Sequence, residues 1–272
     1  ISQYAFNGCS GLIGDLVIPS SVKTIETRAF SECSSLNGTL TLPADVTTIG
    51  AYAFYECKSL TGKLVIPSTV TAITQYAFNN CSGFNSLTLP DTITKIDKCA
   101  FNGCSGLENE FKLPASVTTI GESAFMDCTG FIGNLDIPEK VTSVGKSAFA
   151  NMIGLTGYLY LPAKLTTFGD NCFAGCGGLT NQKDKDGKDI TIMIAEGTKI
   201  LPQYMFYACE NLTSIQVPQT IQTINSAAFA KTNNGLTLYV FAGGDGAKWA
   251  RSLSSDEKTF KIEYLDALAA VT

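Results

Sequence analysis

Apolar and polar positions alternate strictly over short stretches such as Leu40-Thr41-Leu42 and Leu64-Val65-Ile66. A period of two predicts a strand with one face in the core. Pro43 and Pro67 follow directly, and proline ends such a strand because it has no N–H to give to a ladder. The next apolar residues are Val46, Ile49, Ala53, Phe54, Cys57 and Leu60. Their steps of three or four predict one side of short helical or 3₁₀ turns. One unit is therefore a strand followed by a compact return path.

The unit repeats along the chain. Phenylalanine recurs at Phe6, Phe30, Phe54, Phe78, Phe101, Phe125, Phe149, Phe173, Phe206 and Phe229, with gaps of 23 or 24 residues except one of 33. Alanine precedes it in eight of the ten units, and a cysteine follows three residues later in eight, with Met152 and Thr232 in the other two. A proline stands eleven residues before Phe, from Pro19 to Pro218; the unit of Phe206 has Ala195 there instead. No single unit can bury its Leu, Ile, Val and Phe, but copies stacked on one another can. The expected fold is an α/β-type repeat solenoid of about ten units, with one short strand per unit in a parallel sheet. Strands about 4.8 Å apart give it a length of roughly 50 Å. The 23- and 24-residue units differ by one residue: Leu60-Thr61-Gly62-Lys63-Leu64 has a glycine that Phe84-Asn85-Ser86-Leu87 lacks. It predicts a bulge or tight turn before the strand.

The blocks Ala53-Phe54-Tyr55-Glu56-Cys57-Lys58-Ser59-Leu60 and Ile66-Pro67-Ser68-Thr69-Val70-Thr71-Ala72-Ile73 resemble the BspA-like subclass of leucine-rich repeats. The resemblance spans about residues 1–240. It implies a right-handed leucine-rich-repeat coil, and a secreted or surface-displayed protein of a host-associated bacterium, hence an extracellular or cell-surface location. The implied role is adhesion to a host or bacterial surface component; the resemblance names neither ligand nor binding residues.

Two stretches depart from the rhythm. The long gap holds an insert at 181–189 containing Asp184, Asp186 and Asp189. A calcium loop needs ligands at fixed positions and a closing acid at the twelfth, where Ala195 stands. A solvated turn around Asp186-Gly187 is the expectation. After residue 240 the pattern becomes a helix over Ala247–Leu253 and a strand over Thr259–Leu265. We read 241–272 as a capping segment of the same domain, with Trp249, Phe260, Ile262 and Tyr264 covering the last coil. At the other end Tyr4-Ala5-Phe6 opens within a unit, which leads us to expect upstream coils or another domain.

Composition narrows the chemistry. Of 272 residues 45% are hydrophobic and 16% charged, with a net charge of −5. No basic excess is present to neutralise phosphates, so nucleic acid is not an expected partner. No apolar run approaches the roughly 20 residues of a membrane span, and no secretory leader is visible. Histidine is absent, which removes Ser-His-Asp triads, Cys-His dyads and HExxH zinc sites. Gly145-Lys146-Ser147-Ala148-Phe149 lacks the final glycine of a nucleophile elbow. No enzyme activity, catalytic residue, cofactor or metal site is expected. Eight of the ten cysteines share one phase of the repeat. Parallel neighbours about 4.8 Å apart are too far for a disulfide, whose Cβ atoms lie about 3.8 Å apart. They should form a ladder of buried thiols. Cys172 is expected to be buried and Cys99 partly exposed.

Residues between the core positions of each strand point outward, and stacking turns them into stripes. The middle section presents Glu110, Lys112, Asn134, Asp136, Tyr158 and Tyr160, which mix both charges with tyrosine, a residue enriched at interfaces. These six are the candidate binding residues. The expected function is a non-enzymatic module that binds a protein partner, or less readily a glycan, on its strand face; the alternative is a rigid spacer presenting another domain. A threonine column (Thr47, Thr71, Thr94, Thr118, Thr142, Thr166) reads as structural, its hydroxyls satisfying backbone at the coil corner.

Overall fold

In a computed structural model of the chain, residues 1–233, 235–253 and 260–266 are described. The chain winds as a solenoid of parallel strands. Each coil contributes a short strand such as Leu16–Val17, Leu40–Thr41 or Leu135–Asp136, in register with its neighbour one repeat away: Leu16 faces Leu40, and Leu135 faces Leu159. At Gly62, whose φ is +74°, the register shifts against the next coil, where the extra glycine predicted a bulge.

The return path differs from its expected helical turns. A second column of two-residue strands runs along it, for example Thr24–Ile25, Thr48–Ile49, Thr119–Ile120 and Ser143–Val144. The destination of the N–H groups explains why. In an α-helix each N–H would bond four residues back. Here every second donor closes a tight turn, as in Ala53 N–H to Gly50 O and Cys57 N–H to Phe54 O. The donors between them cross to the next coil, as in Tyr52 N–H to Gln75 O and Phe54 N–H to Ala77 O. The alternation uses two left-handed residues per coil, such as Tyr52 (φ 58°) and Glu56 (φ 61°). The steps of three and four thus report stacked turns. Among the described residues the one helix is Asp245–Ser252.

The ten phenylalanines form one continuous column. Successive rings from Phe6 to Phe229 lie 5.0–5.9 Å apart and within 16° of parallel. That spacing is in the range of offset aromatic stacks. All ten cysteines are unpaired. Each buried rung does more than fill space: the Cys57 thiol donates to Phe30 O, Cys81 to Phe54 O and Cys104 to Phe78 O, each at 3.0 Å. Every such carbonyl also takes the Cys N–H of its own turn, so the thiol satisfies a second lone pair. Cys172 is fully buried as expected, but Cys99 is 9% exposed. It is covered because the Tyr76 hydroxyl of the preceding coil lies against its thiol, a contact that, with burial, also pushes the Tyr76 phenol up to about 12.

Burial lifts the Cys57, Cys104 and Cys176 thiols from an ordinary 9.0 to about 12. A thiol whose folded value is raised loses its contribution to stability as pH climbs past the unfolded value, because unfolded thiols ionise first. Stability should therefore hold below pH 9 and decline between pH 9 and 12. In the native state at pH 8, only the half-exposed Cys9 should react rapidly with a thiol reagent. After denaturation close to ten thiols should react; eight or more held in disulfides would refute the ladder.

The threonine column is partly as read: Thr47, Thr94 and Thr118 hydroxyls donate to carbonyls of the preceding coil. At the C-terminal end, Lys261–Leu265 adds a parallel strand to Thr237–Phe241. Trp249 stacks on Phe260, 6.1 Å between ring centres, and both lie within 6.2 Å of Phe229. Ile262 packs on the same core. Tyr264 does not: it is 46% exposed, with the Arg251 guanidinium 5.3 Å above its ring. The start of the expected strand at Thr259 lies outside the described residues.

Candidate binding surface

The outward stripe of the first strand column is exposed at Val17, Thr41, Val65, Thr88, Lys112, Asp136, Tyr160 and Met193. This face is uneven in its middle section, because its ladder is interrupted there. Leu16 and Leu135 donate to the residue 23 positions on, Thr39 O and Tyr158 O; Phe111 instead donates to Ile132 O, 21 positions on. The Asn109 side chain fills in for missing backbone. Its Oδ1 accepts Leu87 N–H at 2.9 Å and its Nδ2 donates to Leu87 O at 3.3 Å.

A second interruption follows Leu159–Tyr160. Leu159 N–H donates to Thr180 O, after which the chain leaves the coil as the insert. Among the described residues Ile192–Met193 pairs only forward, with Ile215–Gln216. The insert is a small hairpin. Lys183 and Asp189 bridge across it, and Gly187 turns its tip at φ 78°. The Asp184 Oδ1 accepts the Asp186 and Lys188 N–H groups at 2.9 Å each. The Asp189 carboxyl is held below its ordinary value by ion pairing with Lys183. The Asp184 and Asp189 carboxylates are thereby committed to the insert. Among the described residues no group of three or more His, Cys, Asp or Glu is placed to hold a metal ion.

The interruptions leave two hollows on either side of Tyr160. One, about 390 Å³, is bounded by Asp136, Glu139, Tyr158, Tyr160 and Gln182, with Leu113 and Pro138 among its walls. The other, about 160 Å³, lies between Leu159–Tyr160 and Ile192–Met193, with Gln182 and Ile190 at its side.

The six predicted residues separate here. Asp136, Tyr158 and Tyr160 meet at the larger hollow. The Tyr158 hydroxyl donates to Asp136 Oδ2 at 3.3 Å, and the Tyr160 hydroxyl donates to Glu139. Burial raises the Asp136 carboxyl, the Tyr158 hydrogen bond opposes this, and the Glu110 charge adds to the rise. The Tyr160 phenol is raised chiefly by its bond to Glu139. Glu110 and Lys112 pair with each other at 3.0 Å, exposed, beside the hollow. Asn134 is half-buried, and its Oδ1 accepts Tyr158 N–H at 3.0 Å; it holds the strand in place and presents little outward. Glu139 and Gln182 escaped sequence reasoning. Glu139 occupies a turn position that is exposed in most coils, and Gln182 is placed only by the path of the insert.

A second aromatic cluster sits on the Ala-Phe turns. Tyr52 stacks on Tyr76 at 4.5 Å, with the Arg28 guanidinium 4.4 Å from the Tyr52 ring. These residues cover the left-handed backbone of those turns, where Arg28, Tyr52 and Tyr76 all have φ near 57°.

A family model described as a BspA type leucine rich repeat region matches residues 1–129, 50–180 and 185–242. No curated protein sequence matches the chain. Solved structures of similar fold include the following three. A leucine rich cell surface protein from Faecalibacterium prausnitzii is 24% identical, with 83% of this chain and 68% of that chain covered and a TM-score of 0.58. A leucine-rich repeat protein from Bacteroides ovatus is 23% identical, with 98% and 87% covered and a TM-score of 0.56. The pneumococcal vaccine antigen PcpA is 17% identical, with 93% and 68% covered and a TM-score of 0.57. Among the described residues no helix is long and apolar enough to cross a membrane.

Proposed function

Since the chain belongs to the BspA-type leucine-rich repeat family, we propose that it is a non-enzymatic binding module displayed outside a bacterial cell, which holds a protein partner on its strand face. The observation that carries this reading is the convergence of Asp136, Tyr158 and Tyr160 on one hollow of that face. Tyrosine supplies large contact area at low entropic cost, and interface energy concentrates on such residues. The stacked phenylalanine column makes the support rigid, so the hollow keeps its shape without a ligand.

A binding screen against host matrix proteins and glycans identifies the partner, with the Tyr158→Ala/Tyr160→Ala double variant as control. Binding to the partner should fall by about tenfold or more, while thermal stability stays near that of the parent because both rings lie outside the phenylalanine column. An unchanged affinity would remove the strand face as the site. The same rigidity suits a spacer, and a spacer predicts that no partner distinguishes the double variant from the parent.

A further inference from the structure

The larger hollow has an unbalanced charge. It is bounded by two carboxylates, Asp136 and Glu139, and none of its lining residues is basic. Lys112 pairs with Glu110 and Lys183 with Asp189, and Lys140, which follows Glu139, is exposed and is not part of the lining. The Tyr158 and Tyr160 hydroxyls each donate to one of the two carboxylates. A carboxylate accepts several hydrogen bonds, so each keeps acceptor capacity toward the opening. The walls are apolar at Leu113, Ala115, Ile137 and Pro138.

We propose that this hollow receives a basic side chain, Arg or Lys, presented by a protein partner. The proposal rests on the strand-face reading and specifies the chemistry of that partner. The head group would sit between Asp136 and Glu139, where charge-assisted bonds are the stronger kind. Its methylene stem would lie along Leu113, Ile137 and Pro138, as long basic side chains cover apolar surface while keeping the charge at a polar end. The tyrosine rings add a face that attracts cations. Burial already disfavours the charge on Asp136, and a cation would relieve it. The overall charge of −5 also draws basic partners from a distance. A neutral sugar fits less well. Its hydroxyls need donors as well as acceptors, and with the two phenol protons given to carboxylates the Gln182 amide is the one side-chain donor left in the lining.

The test immobilises three probes: a dodecapeptide of Arg-Gly-Ser repeats, its Glu-Gly-Ser counterpart, and cellohexaose. The whole chain should bind the arginine peptide, weaken as salt rises, and ignore the glutamate peptide. Asp136→Asn with Glu139→Gln should weaken binding of the arginine peptide by at least about tenfold, with an unchanged melting temperature. Asp91→Asn with Glu210→Gln removes the same charge from exposed positions elsewhere and should leave most of the binding. Equal loss in both double variants, or no preference for arginine over glutamate, overturns the proposal. Binding of cellohexaose alone, lost in the Tyr158→Ala/Tyr160→Ala variant, also overturns it while leaving the strand-face reading intact. An identified partner indifferent to the tyrosine variant would instead remove that reading.

Discussion

Phe101→Ala is expected to destabilise the protein by about 4 kcal/mol, in the range for deleting a fully buried aromatic ring. Phe101 is 0% exposed and lies 5.6 Å from Phe78 and 5.4 Å from Phe125. Removing it leaves a ring-sized void in a column whose neighbours cannot close in, because the coil spacing is set by backbone hydrogen bonds on either side. Each coil of a solenoid contacts only its neighbours, so the damage also weakens the coupling between the two halves. Urea unfolding followed by circular dichroism should show a lower midpoint and a shallower transition, the second sign marking lost cooperativity. Phe6→Ala serves as the internal comparison. Phe6 has one stacking neighbour in the column and is 40% exposed, so the same deletion there should cost far less. Equal effects at the two positions would mean that the rings do not act as a column.

The second large effect is expected at Asn181, which ties the insert to the solenoid. It is 1% exposed. Its Nδ2 donates to Ser214 O at 2.7 Å and Ile190 O at 3.0 Å, and its Oδ1 accepts Thr213 N–H at 2.9 Å. Asn181→Ala removes the Asn181 partner of the buried Ser214 O and of the part-buried Thr213 N–H and Ile190 O, and each group left unsatisfied costs about 1–3 kcal/mol. Some of those groups will find water, so the expected total is about 3 kcal/mol. The loss should be local. Hydrogen exchange at Thr213 should quicken, while exchange at Phe54 and Phe78, several coils away, should not change. A variant with parental stability and unaltered exchange at Thr213 would show that the insert holds itself in place. Because Gln182 follows Asn181 and bounds both hollows, the same variant should also weaken binding on the strand face.

Legibility differs from residue to residue. Asp136, Tyr158 and Tyr160 could be placed on one face because a strand alternates and copies stack in phase. Asn134 shares that phase, yet its amide turns to bond the Tyr158 backbone, a choice that depends on an irregular neighbouring coil. Glu139 and Gln182 carried no signal, since one sits in an ordinary exposed turn and the other at the start of an irregular insert. The second column of strands was hidden for a different reason. Apolar steps of three or four fit a helix and a run of stacked tight turns equally, and only the destination of the N–H groups separates them. Cys99 was expected to be partly open because tyrosines hold the equivalent position in earlier coils; the preceding Tyr76 covers it.

The rhythm of the chain dictates the solenoid, the phenylalanine and cysteine columns, and the face on which each strand residue stands. These follow from a repeating period, in which every side chain meets its own counterpart one turn away. Where the chain leaves that period, contacts run between residues of different phase. The broken ladder beside Phe111, the seating of the hairpin by Asn181 and the hollow bounded by Asp136, Glu139 and Gln182 are of this kind. They depend on how unlike segments share space and hydrogen bonds, and only the folded chain decides that.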